Sequence, residues 1–94
     1  MKLIGLSLVR NFYEQYPDSR NWLENWVADV NEASWKTVHD LKARYPSCSL
    51  VGGGRVYFNV RGNNYRMEAT IAFNVGVISV TWIGTHADYT KRMK

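Results

Sequence analysis

Midway along the chain the spacing of apolar residues changes from a period of 3.6 to a period of 2. A chain patterned this way forms helices first and strands afterwards, which indicates α+β and argues against a parallel α/β fold. In the helical part, Leu8, Val9, Phe12, Tyr13 and Tyr16 mark a helix over residues 6–16. Pro17 ends it, because the residue before a proline avoids the α region. Asp18 or Ser19 offers the cap of a second helix, whose apolar stripe is Trp22, Leu23, Trp26, Val27 and Val30. A third helix is expected from a Ser34 cap through Trp35, Val38 and Leu41 to about Arg44. Ahead of all three, Lys2–Ile4 reads as a short strand, with Gly5 at the start of the first helix.

Beyond the switch, Val56, Phe58 and Val60 alternate onto one face of a strand. Arg61-Gly62-Asn63-Asn64 reads as a hairpin turn, since Gly and Asn tolerate positive φ. The alternation resumes over 65–73, with Met67, Ala69, Ile71 and Phe73 on one side and Arg66, Glu68 and Thr70 on the other. A turn at Asn74-Val75-Gly76 leads to a third strand over 77–83. Gly84-Thr85-His86 leaves that strand, and 87–94 is a short basic tail with helical character. Gly52-Gly53-Gly54 lacks the Lys-Ser/Thr of a phosphate-binding loop and reads as a flexible turn. The helices should therefore cover one face of a small, mostly antiparallel sheet. The expected core is Trp22, Trp26, Val30, Phe58, Val60, Met67, Ala69, Ile71 and Val80. The opposite face would display Tyr57, Asn59, Arg61, Arg66, Glu68 and Thr70, a basic and aromatic surface suited to RNA.

Ninety-four residues suffice for one domain, 1–94, and a 46% share of apolar types excludes a mainly disordered chain. Cys48 is the single cysteine, which excludes an internal disulfide and a multi-cysteine zinc site and fits a reducing compartment. The opening run M-K-L-I-G-L-S-L-V-R is short and interrupted, so a signal peptide is not expected. The uncharged stretch 69–87 is broken by polar residues like strand, turn and strand, so no membrane span is expected either. Charge is divided unevenly. Residues 1–41 carry four basic and six acidic side chains, a net of −2; residues 42–94 carry eight basic and two acidic, a net of +6. A basic half on a neutral scaffold points to a polyanionic partner.

Among groups able to do chemistry, His39 and His86 have no carboxylate at ligand spacing, so no metal or other cofactor is expected. No nucleophile elbow supports Ser-His-Asp catalysis. His39 reads as a surface residue of the third helix. His86 follows a strand directly and precedes Tyr89 and Lys91. An imidazole titrates near neutral pH, so His86 can serve as general acid or base; it can equally be a hydrogen-bonded loop residue.

The strings V-Y-F-N-V-R-G-N-N-Y-R (56–66) and W-I-G-T-H-A-D-Y-T-K (82–91) resemble the HigB-type toxins of bacterial type II toxin–antitoxin modules, within the RelE/ParE superfamily. The likeness extends over nearly the whole chain, including Tyr16-Pro17-Asp18, Ala33-Ser34-Trp35-Lys36 and Tyr45-Pro46-Ser47. Two departures stand out: Arg61 where Lys is usual, and Thr90 where an Asp is usual. The resemblance implies a cytoplasmic mRNA endoribonuclease acting on translating ribosomes and silenced by a cognate helix-turn-helix antitoxin, with DNA reached only through that antitoxin. It implies metal-independent attack of the ribose 2′-OH on the adjacent phosphate. Arg66, His86 and Tyr89 are the expected catalytic residues. Asn59, Arg61, Tyr65, Lys91 and Arg92 are the expected RNA contacts. Two other functions remain open at this point: a non-catalytic RNA- or DNA-binding module, and a ParE-like gyrase poison.

Overall fold

The structure is a computed structural model, and it describes residues 1–92. It is α+β, as the switch in period predicts. Strand β1 (Lys2–Ile4) leads through Gly5 into α1 (Leu6–Gln15). Gly5 has φ +97°, and a Cβ there would lie 2.7 Å from the Val80 carbonyl oxygen. Both the left-handed backbone and the close approach of helix to sheet therefore require glycine at this position. A single 3₁₀ turn at Pro17–Ser19 redirects the chain into α2 (Arg20–Glu32). Leu23, Trp26 and Val30 of α2 are fully buried against the sheet, with Val9 and Phe12 of α1 beside them.

Trp22, expected in the core, is only partly buried. It flanks the buried stripe and sets its ring 6.0 Å from that of Tyr45. The third helix also departs from expectation. α3 runs Val38–Arg44, and residues 33–36 are not helical. Its start is fixed at Thr37, whose hydroxyl accepts the Asp40 N–H at 3.2 Å while the Asp40 carboxylate accepts the Lys36 N–H at 3.0 Å. That reciprocal cap outcompetes Ser34. The start at Val38 places His39 in the first turn, exposed as expected.

The sheet has five strands in the order β1-β5-β4-β3-β2. β3 (Arg55–Val60), β4 (Tyr65–Ala72) and β5 (Val77–Thr85) form the antiparallel meander, and β1 adds in parallel to β5. β2 (Ser49–Val51) pairs antiparallel with β3. Its three residues are too few for an alternation to register in the sequence. β5 runs two residues beyond the expected Ile83, and it carries a bulge: Glu68 pairs with Trp82 and Ala69 with Val80, which leaves Thr81 as the extra residue. Phe58, Val60, Met67, Ala69, Ile71 and Val80 are buried on the helix side, as the alternation predicts.

The opposite face is not open. A fourth helix, α4 (His86–Arg92), folds back across it. Tyr57 and Glu68, expected to be displayed, are buried there, at 3% and 6% exposure. The helical tail continues as expected as far as Arg92; residues 93–94 of that expectation lie outside the described residues. Among the described residues no helix is long and apolar enough to cross a membrane.

Candidate functional site

Cross-strand register lays two rows of side chains on the outer face. One is Tyr57–Glu68–Trp82, and the next is Asn59–Arg66–Gly84. Gly84 was expected to form a turn, but it lies within β5. A Cβ built on it would fall 2.4 Å from the Trp82 ring, so the missing side chain is the space that ring occupies. One residue further, Thr85 accepts the Asp88 N–H on its hydroxyl at 3.0 Å, which caps α4 and makes His86 its first residue. Asp88 in the first turn and Lys91 and Arg92 in the last match the helix dipole.

Tyr89, one turn along α4, joins the rows. Its ring packs edge-on to Tyr57 at 5.4 Å, lies 6.4 Å from Trp82, and stands 5.8 Å from the His86 ring. Arg66 sits between two rings, its guanidinium carbon 4.7 Å from the Tyr89 centroid and 5.6 Å from that of Tyr57. One of its terminal nitrogens donates to the Asn59 side-chain oxygen. Its Nε is buried and has no partner among the described residues. The described ion pairs are Arg20–Glu24, Arg44–Asp29, Arg61–Asp18 and Arg92–Glu68, and Arg66 belongs to none of them. A guanidinium without a carboxylate, orientated by an amide and two aromatic rings, is suited to receive an anion with two oxygens.

The site thus gathers Asn59, Arg66, His86 and Tyr89 from three elements. Lys91 is exposed on the same helix. Two expected RNA contacts lie elsewhere. Tyr65 points to the helix side, where its ring packs against Phe12 and Tyr16 and its hydroxyl donates to Asp18 at 2.6 Å. With 8% of its surface exposed, it offers no ring for a base to stack on. Its hydrogen bond to Asp18, followed by burial, raises its ionisation above the usual phenol range. Arg61 adopts φ +51° in the hairpin turn and swings to the same Asp18, at 3.0 Å, instead of standing beside Arg66. Arg92, also expected to contact RNA, is engaged by Glu68 and lies 4.8 Å over the Trp82 ring.

Tyr57 and Glu68 lie on the face expected of them but as a buried pair, and Trp82 joins them. Glu68 accepts from the Tyr57 hydroxyl at 2.6 Å, the Thr81 hydroxyl at 2.8 Å and the Arg92 guanidinium at 3.3 Å. Burial pushes its carboxyl upward, but these three donors outweigh that and hold it below the usual carboxylate range. The hydrogen bond to Glu68, with burial second, raises the Tyr57 phenol. The signal in the sequence was large aromatic residues at 57 and 82 on a nominally polar face, which calls for a cover. Thr90, where the resemblance leads one to expect an acid, turns its hydroxyl back to the His86 carbonyl at 3.0 Å.

A groove between α1 and α2, lined by Leu6, Tyr13 and Val27, lies away from this shelf. Among the described residues no three His, Cys, Asp or Glu side chains gather where they could hold a metal. No curated protein matches the chain. A family model described as HigB_toxin, the RelE-like toxic component of a toxin–antitoxin system, matches residues 19–92.

Proposed function

Because the chain belongs to the HigB toxin family, and is thus the toxin of a toxin–antitoxin pair with an antitoxin as partner, we propose that it is an endoribonuclease cutting mRNA on the ribosome. The observation that carries this reading is Arg66: a guanidinium in none of the described ion pairs, over the ring of Tyr89, which in turn stands 5.8 Å from the His86 ring.

In the proposed reaction the ribose 2′-oxygen attacks the adjacent phosphorus in line. The new 2′-O–P bond forms as the P–O5′ bond breaks, giving a 2′,3′-cyclic phosphate and a 5′-hydroxyl. Arg66 neutralises the charge that builds on the non-bridging oxygens through its terminal N–H groups. His86 and Tyr89 handle the protons, one taking that of the 2′-hydroxyl and the other supplying the 5′-oxygen. Asn59 holds the guanidinium in plane, and Lys91 extends positive charge along the RNA. No step requires a metal. Glu68, the carboxylate of this face, is already bound by three donors of the chain itself. A passive binding module or a gyrase poison would leave the placing of the His86 imidazole and the Arg66 guanidinium on the same tyrosine, Tyr89, without a use.

The antitoxin is proposed to be of the helix-turn-helix type, with an acidic or amphipathic segment over the basic surface; DNA would be reached only through it. An mRNA target puts the work in the cytoplasm. Purified protein incubated with RNA in excess EDTA should yield 2′,3′-cyclic phosphate and 5′-hydroxyl ends. Substituting His86→Gln should slow this by ~10²–10⁴. A His86→Gln protein that cuts at the wild-type rate would remove His86 from the chemistry.

A further inference from the structure

Glu68 has no part in the chemistry proposed above, yet among the described residues no other side chain of the outer face accepts hydrogen bonds from so many side chains. Its side chain is 7% exposed, and its two oxygens accept from Tyr57, Thr81 and Arg92. Thr81 reaches it because the β5 bulge falls at this residue. Arg92 reaches it as a fork, with one nitrogen 3.2 Å from Oε2 and another 3.3 Å from Oε1. These contacts tie together elements that otherwise have little to hold them. α4 has seven residues and buries none of them. A helix that short is not stable on its own, and without a buried apolar stripe it must be docked by particular contacts. Those contacts are the Tyr89 ring on Tyr57 and the Arg92 guanidinium on Glu68 and Trp82.

We propose that Glu68 is a positioning residue that clamps α4 to the sheet through Arg92 and fixes the Tyr57 ring, so that Tyr57 and Tyr89 hold Arg66 between them and His86 keeps its place against Tyr89. The carboxylate can do this because it has enough acceptor positions for three donors at once. Removing one donor leaves a buried charge short of a partner, so the clamp closes as a unit. Arg92 then serves the clamp rather than the RNA backbone. The expected effect on rate rests on the ribonuclease reading; the effect on α4 does not.

The experiment is amide hydrogen exchange over residues 86–92, with RNA cleavage and its salt dependence measured on the same proteins. Arg92 is partly exposed and no core residue depends on it, so Arg92→Gln should fold. Loss of a charge-assisted hydrogen bond should speed exchange in α4 by roughly tenfold or more. Cleavage should fall in kcat with KM and the salt slope little changed. The triple variant Glu68→Leu, Arg92→Leu, Tyr57→Phe replaces the ion pair by apolar contact and should restore both protection and cutting to within a few-fold. Unchanged protection of α4 in Arg92→Gln, with a salt slope lower by about one unit, would make Arg92 a phosphate contact and overturn the clamp. Faster exchange in Arg92→Gln, in a protein whose wild type cuts no RNA, would uphold the clamp and overturn the ribonuclease reading instead.

Discussion

The two faces of the sheet are covered by helices that hold on in different ways. On the inner face α2 buries Leu23, Trp26 and Val30 completely, over Phe58, Met67 and Val60. On the outer face α4 buries nothing of its own and is held by ring edges, a cation over Trp82 and one ion pair. Apolar burial is non-directional, so the inner face tolerates small shifts and supplies most of the stability. Hydrogen bonds and charge-assisted contacts are directional, so the outer face contributes less energy but fixes where Arg66 and His86 stand.

The largest effect should come from cutting into the inner face. Trp26→Ala removes a fully buried indole and should cost about 3–5 kcal/mol of stability, read as a lower urea midpoint. The matching cut on the outer face, Tyr89→Ala, loses only ring contacts and should cost about 0.5–1.5 kcal/mol. Equal losses would erase the contrast between the faces. Next come the functional substitutions. Arg66→Ala should lower cleavage by ~10²–10³ with a melting temperature within a few degrees of wild type. Arg66→Lys should recover only part of the loss, since an ammonium cannot span two oxygens as the guanidinium fork does.

How far these assignments were legible in the sequence varies by residue. The inner face was readable because alternation at 56–60 and 65–73 and the stripe at 23, 26 and 30 each encode a face directly. Trp22 was misassigned because a helical stripe blurs at its edges, where i and i+1 both look apolar. β2 was missed because three residues carry no period. On the outer face the location of Arg66 followed from the alternation of β4. The cover did not, because a seven-residue polar helix has no stripe, and its docking depends on Glu68 finding Arg92 at a separation of 24 residues. Tyr65 and Arg61 were misplaced for one reason: Asp18, from the turn between the first two helices, draws both to the inner side.

Two smaller effects sharpen the same contrast. The Glu68 carboxyl is held below its ordinary range in the folded protein. The stability it contributes is therefore fully present above its unfolded value, about 4.3, and is lost as pH falls through the lower folded value. Acidification should loosen α4 first, seen as exchange in 86–92 rising before that of α2. Simultaneous loss of protection in both helices would contradict it. The smallest effect belongs to Arg61→Ala. Its ion pair with Asp18 is exposed on both sides, so stability should change by less than about 1 kcal/mol. The salt slope of RNA binding should stay within about half a unit of wild type, because Arg61 stands on the inner side. A drop of about one unit would return it to the RNA path.

Arg66, in none of the described ion pairs of the outer face, is proposed to receive the phosphate at which mRNA is cut. Mapping 5′ ends in cells after a brief pulse of expression, wild type against Arg66→Ala, tests it most directly. The account predicts new, codon-phased 5′-hydroxyl ends with wild type and none above background with Arg66→Ala at equal protein level. The same new ends in both, or growth arrest by wild type with no new ends at all, would contradict it.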